Sequence, residues 1–227
     1  MLRTIEVSAQ RGAGLIRQVL TFARGVEGKR QEVCVADVLR KIEHILSETI
    51  PRNIALHLSV TDDLWNIMGD ATQLHQVLLN LCVNARDAMP NGGRIQISAK
   101  NVRLDEHYVA TNIDARPGPH VRLDVAYNGT GIDAMILNKI FDPFFTTKPV
   151  GKGTGLGLAT AQTIVKSHGG FVRAYSEPSN GTRFRIYLPT GTPAAVVDPS
   201  DLPALATPRG QGQLVLVVDD EDAIRLV

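Results

Sequence analysis

Cysteine is scarce: 227 residues hold two, Cys34 and Cys82. Both sit in apolar contexts with no Cys-x-x-Cys spacing and no histidine cluster nearby, so neither a disulfide framework nor a zinc site is expected, and a reducing compartment is. Long hydrophobic runs are missing as well. No segment approaches the ~20 apolar residues that a membrane helix needs, and the opening Met1-Leu2-Arg3-Thr4 has no signal-peptide core. Charge bias is absent, with 24 basic and 23 acidic residues and a net charge of +1. Without a basic footprint, nucleic acid is not an expected partner. The expectation is a cytoplasmic chain, with any membrane anchor confined to segments upstream.

What is there is an ordinary globular composition, 44% hydrophobic and 21% charged, enough for one sizeable domain with appendages. Leu2, Ile5, Ala9, Gly12, Ile16, Val19 and Ala23 alternate spacings of three and four. This heptad stripe calls for a partner helix, and a homodimer through this segment is expected. From Val33 a compact domain can be traced. Asp37 is expected to cap a helix ending at Pro51, and Ile54 to Thr61 alternates as a strand. Asp70, with Gln73 three residues on, opens a helix that ends near Met89. Arg94 to Leu104 and Val121 to Tyr127 read as strands, and Asp133 to Ile140 and Gly155 to Ser167 as helices. Phe171 to Glu177 and Thr182 to Leu188 form a hairpin. Residues 191–212 are a Pro/Ala/Gly-rich linker. Leu214 to Val218 then reads as a buried parallel strand running into Asp219-Asp220-Glu221-Asp222.

Chemistry concentrates in two places. On the Asp70 helix, Gln76, Asn80, Asn84 and Asp87 fall on one narrow stripe opposite a fully apolar face. Asparagine forms helices poorly, and an amide oxygen is a hard neutral ligand suited to Mg²⁺ beside phosphate oxygens. The second is Gly151-Lys152-Gly153-Thr154-Gly155-Leu156-Gly157-Leu158, where alternating glycines lead into a helix. Free backbone N–H groups and the helix dipole make an anion site there. The Walker A ending Gly-Lys-Ser/Thr is lacking, which separates it from a P-loop. Phe141-Asp142-Pro143-Phe144-Phe145-Thr146-Thr147-Lys148 precedes it as a lid docked by three phenylalanines, with Lys148 able to reach phosphate. Gly129-Thr130-Gly131 follows a strand, where glycine lets backbone approach a flat ligand.

In order, the Asn84 segment N-L-C-V-N-A-R-D-A-M, the G-T-G-I turn, F-D-P-F-F-T-T-K, G-K-G-T-G-L-G-L-A-T and N-G-T-R-F-R-I-Y-L-P resemble the five nucleotide-site boxes of sensor histidine kinases. The resemblance covers roughly Val33 to Pro189. It implies an α+β, Bergerat-type two-layer sandwich: a mixed sheet with helices on one face, and ATP between the asparagine helix and the lid. It further implies that residues 1–31 are the second helix of a dimerisation and histidine-phosphotransfer hairpin and residues 32–190 the catalytic domain. Residues 213–227 would begin a receiver domain. The function implied is phosphoryl transfer from Mg-ATP to a histidine of the hairpin, and onward to a receiver aspartate. Asn84 would bind Mg²⁺, Asn80 would lie beside the phosphates, and Gln76 matches a position often held by a glutamate general base. Arg86, Asp87, Thr147 and Lys148 would face the nucleotide, as would Gly153, Thr154, Gly155, Leu156, Gly157 and Leu158. Tyr127, Gly129, Gly131, Ile132 and Thr182 would surround the adenine.

The sequence departs from the family twice. Tyr127 stands where an aspartate normally accepts the adenine amino group, and losing that charge-assisted bond, about 1.5–3 kcal/mol, weakens ATP binding about ten- to a hundredfold. None of His44, His57, His75, His107, His120 and His168 stands in a His-Glu/Asp acceptor context. The rival readings are an ATPase of the same superfamily and a nucleotide-free regulatory module.

Overall fold

The computed structural model describes residues 30–112, 114–149 and 153–191. The heptad stripe, the Pro/Ala/Gly segment and the Leu214–Val218 run lie outside them. The elements, in chain order, are β1 (Gln31–Val33), α1 (Val35–Thr49), β2 (Ile54–Val60), β3 (Ile67–Gly69), α2 (Ala71–Asp87), β4 (Gly93–Leu104), α3 (Glu106–Ala110), β5 (Gly118–Tyr127), α4 (Gly157–Ser167), β6 (Phe171–Glu177) and β7 (Gly181–Pro189).

Five strands form a mixed sheet in the order β2-β4-β5-β7-β6, with β2 parallel to β4 and the remaining pairs antiparallel. Alternation assigns its faces. Ile95, Ile97, Ala99, Val121, Leu123, Val125, Phe184, Ile186 and Leu188 point to one side and are buried against α1, α2 and α4. The helices answer with their own stripes, Val38, Leu39, Ile42 and Leu46 from α1 and Leu74, Val77, Leu78, Leu81 and Ala85 from α2. This is the expected two-layer α+β sandwich.

Four local expectations need correction. Asp37 does not cap α1: the cap position is Cys34, which supplies no side-chain bond, and Asp37 lies inside the first turn, paired with Arg40 at 2.8 Å. Asp133 to Ile140 is a run of turns instead of a helix. α4 begins at Gly157, two residues late, because Gly155 has φ +69° and cannot be helical. A short helix the sequence did not announce, α3, lies on the opposite sheet face. There Tyr108 packs on Phe171 and Tyr187, whose rings stack at 4.6 Å. β1 and β3, three residues each, pair as a separate ribbon.

Candidate nucleotide site

Helix α2 is fixed at its start by two devices. The Asp70 carboxylate accepts from the Thr72 and Gln73 amides at 2.7 and 3.2 Å, satisfying donors with no partner inside the helix. The Asp70 amide donates to His168 Nε2 at 3.0 Å, and His168 Nδ1 donates to the Ile164 carbonyl at 2.8 Å. His168 therefore ties the end of α4 to the start of α2. Its buried ring is pushed below the usual histidine range, by burial first and then by Arg30.

With its apolar face held, α2 leaves Gln76, Asn80 and Asn84 half-buried, and Asn80 and Asn84 lie beside the head of α4. Asn80 Nδ2 donates to the Gly157 carbonyl at 3.1 Å. A Cβ on Gly157 would lie 3.9 Å from both Asn80 Cγ and Asn84 Nδ2, so the asparagine stripe and the glycine segment share one cleft. Leu156 is buried and Leu158 packs against the core, while Thr154 Oγ1 accepts from the Leu156 amide at 3.4 Å.

The lid closes over this cleft. Phe141 meets Phe184 edge-on and Phe145 packs on the core, but Phe144 is 64% exposed with φ +67°. Two phenylalanines dock the lid, not three, because the reversal at Phe144 swings its ring outward. Its amide donates to the Gly155 carbonyl at 3.1 Å, and a Cβ on Gly155 would strike the Phe144 backbone at 2.3 Å. A Cβ on Gly153 would lie 2.7 Å from Thr146 Oγ1, while Thr147 is exposed. The lid's cation reaches across: Lys148 Nζ donates to Asn84 Oδ1 at 3.2 Å and to Asp87 Oδ2 at 2.6 Å. Arg86 is turned onto the other Asp87 oxygen at 2.8 Å and not into the cleft. Partial burial would raise the Asp87 carboxyl, yet the bonds and charges of Lys148 and Arg86 outweigh it and hold it below the ordinary aspartate range. Two hard oxygens, Asn84 Oδ1 and Asp87 Oδ2, thus already converge on one cation, and this donor set fits Mg²⁺ together with phosphate oxygens.

The other end of the cleft is built by glycine. Gly131 has φ +72°, and a Cβ there would sit 2.1 Å from the Glu177 carbonyl oxygen; at Gly129 it would meet the Ala88 carbonyl oxygen at 2.6 Å. The Ile132 amide donates to Ser176 Oγ at 2.8 Å, and Ser176 Oγ lies 2.8 Å from Thr182 Oγ1. Tyr127 pairs with Thr182 across β5 and β7 and points into the helix side, only 7% exposed. Burial pushes its phenol upward, with nearby Thr182 opposing in part. A cavity of about 840 Å³ touches Tyr127, Thr182 and Ser176 but not Asn84 or Gly157, since it spreads onto the far sheet face. The sequence missed His168 and Ser176, lone polar residues on apolar elements with no motif around them.

Residues 69–192 match the family of histidine kinase-, DNA gyrase B- and HSP90-like ATPases. The chain belongs to this family. Sensor kinase CckA of Brucella abortus is 38% identical over 231 residues, spanning 99% of the chain and 24% of CckA. Sensor histidine kinase ZraS of Klebsiella oxytoca is 34% identical over 176 residues, 77% of the chain and 35% of ZraS. The chain therefore spans about a quarter to a third of these relatives. Among solved structures, the catalytic domain of histidine kinase ThkA superposes with TM-score 0.58 at 29% identity, over 71% of the chain and 95% of ThkA's domain. Full-length ShkA in complex with AMPPNP gives 0.65 at 27% identity, over 86% of the chain and 40% of ShkA. The sandwich is thus the ATP-binding catalytic-domain fold of sensor histidine kinases. No described helix is long and apolar enough to cross a membrane.

Proposed function

We propose that residues 32–190 bind Mg-ATP and pass its γ-phosphoryl group to a histidine outside them, within a hybrid two-component sensor kinase. One observation carries the reading: Asn80 and Asn84 of α2, Gly157 at the head of α4 and Lys148 of the lid meet in a single cleft. The ShkA complex with an ATP analogue supports nucleotide as the occupant. The CckA likeness, spanning 99% of the chain, supports residues 1–31 as a dimerising hairpin helix and residues 213–227 as the start of a receiver domain.

The residue roles follow from position. Asn84 Oδ1, with Asp87 beside it, would hold Mg²⁺, which supplies charge neutralisation at the phosphate oxygens. Lys148 would exchange its present partners for phosphate when nucleotide enters, while Asn80 would keep the head of α4 in place beside the phosphates. The amides of Gly153, Thr154, Gly155 and Leu156 would donate to anionic oxygen ahead of α4. Gln76, one turn before Asn80, stands at the base position and would orient the incoming imidazole through its amide, as it cannot take a proton. Catalysis here is positioning and electrostatics.

Adenine would enter between Ile132 and Thr182, where Tyr127 replaces a carboxylate acceptor with a neutral, buried phenol. The same burial favours a second reading, a domain that has surrendered nucleotide and acts as a regulatory module. Incubation with γ-labelled ATP, Mg²⁺ and a purified acceptor-hairpin protein separates them. Label on the acceptor histidine is expected. Phosphate released to water without a labelled acceptor marks an ATPase, and no bound nucleotide marks the regulatory module.

A further inference from the structure

The sheet face away from α1, α2 and α4 has two halves. Towards α3 it is apolar and covered, by Tyr108 on Phe171 and Tyr187. Towards the Tyr127 end it is basic, and no described element covers it. Arg94 and Gln96 of β4, Arg183 and Arg185 of β7 and Tyr175 and Glu177 of β6 line the 840 Å³ cavity there, three guanidiniums against one carboxylate that Asn180 Nδ2 already engages at 2.9 Å.

This basic half is preorganised. Asp124, 6% exposed, is spent between two guanidiniums, receiving Arg122 Nε at 2.8 Å and Arg185 Nε at 3.1 Å. Each bond uses one of five N–H donors, leaving the terminal nitrogens of both arginines without a protein partner among the described residues. Arg185 is further held 4.8 Å over the Tyr175 ring, which is 47% exposed. Arg94 and Arg183 have no ion-pair partner among the described residues. A carboxylate that orients cations it does not exhaust leaves net positive charge facing outward.

Spacing selects the occupant. Arg183 and Arg185 lie two residues apart on one face, about 7 Å, and Arg94 stands two strands from Arg183, about 12 Å away along the diagonal. A single phosphate group is too small to join them. An extended acidic chain with a carboxylate at every second residue repeats them at about 7 Å, the Arg183–Arg185 interval, and two repeats span about 14 Å, within side-chain reach of Arg94. We propose that this open half-face is a docking site for an acidic, extended polypeptide segment, whose carboxylates pair with Arg94, Arg183 and Arg185 while its backbone lies over Ala126. Because Tyr127 and Thr182 border the same cavity, the docked segment reaches the rear wall of the nucleotide cleft.

The test titrates the whole chain with a fluorescent twelve-residue Glu-Thr repeat, its Gln-Thr counterpart, a thymidine dodecamer and inorganic triphosphate. The Glu-Thr peptide is expected to bind, to weaken with added salt, and to shift amide resonances of β4, β6 and β7. Arg94→Gln with Arg183→Gln is expected to weaken it at least tenfold with an unchanged thermal midpoint, and Arg94→Lys with Arg183→Lys to keep most of the affinity. Equal binding of the Gln-Thr peptide, tighter binding of the dodecamer, displacement by equimolar triphosphate, or affinity indifferent to the arginine pair would each overturn the proposal.

Discussion

Tyr127 sits buried where β5 meets β7, opposite Thr182. Its position two residues ahead of the G-T-G-I turn is visible in the sequence, but its 7% exposure and its pairing with Thr182 come from the register of β5 on β7. His168 shows the reverse. No motif surrounds it, yet its ring joins α2 to α4. Replacing it with alanine leaves the Asp70 amide without an acceptor and should cost about 1–3 kcal/mol, measurable by urea unfolding. Its pH signature has a definite sign. The folded histidine sits below the ordinary value of 6.5, as does His120 through burial, so the unfolded chain binds protons first. Their stabilising contribution is complete above pH 6.5 and falls away as pH drops towards the folded values. His168→Gln should flatten that decline in a melting series from pH 7.5 to 5.5; an unaltered slope would contradict it. Cysteine gives a simpler check. Cys82 is buried, its thiol pushed up to about 12, whereas Cys34 is exposed. Iodoacetamide at pH 8 should modify one thiol in the folded protein and two in urea.

Between elements, legibility tracks how much of the driving force is local. α2 and the β6–β7 hairpin were readable because their periodicity is long and uninterrupted. α3 and the β1–β3 ribbon were not, since five and three residues carry too little pattern, and what orders α3 is the aromatic stack of Phe171 and Tyr187 far along the chain. The Asp133–Ile140 stretch fails as a helix although its apolar spacing suits one; Leu137 and Ile140 instead pack singly against the core. The bridge from the lid to α2 belongs to this scale too. Lys148 is the lid side chain that bonds the α2 stripe among the described residues, and a half-buried pair of this kind is worth up to about 1 kcal/mol. Lys148→Met should therefore speed amide exchange across Phe144–Lys148 about fivefold without changing exchange in β5. Equal lid protection in the two proteins would remove the bridge from the account.

For the whole molecule, the sequence conveyed the sandwich and the order of the site's parts, because five motifs fix which elements must meet. It did not convey the second sheet face, where Asp124 sits between Arg122 and Arg185, since strand alternation alone reads such residues as solvent-facing. The proposed function places a nucleotide and Mg²⁺ between α2 and the lid, impeded at the adenine end by Tyr127. Calorimetric titration of ATP with and without Mg²⁺ into the chain, Tyr127→Asp and Tyr127→Asp/Asn84→Ala tests it directly. Tyr127→Asp should tighten Mg-ATP binding about ten- to a hundredfold, and adding Asn84→Ala should remove the Mg²⁺ dependence. Affinity for Mg-ATP that is the same in all three proteins would contradict the account.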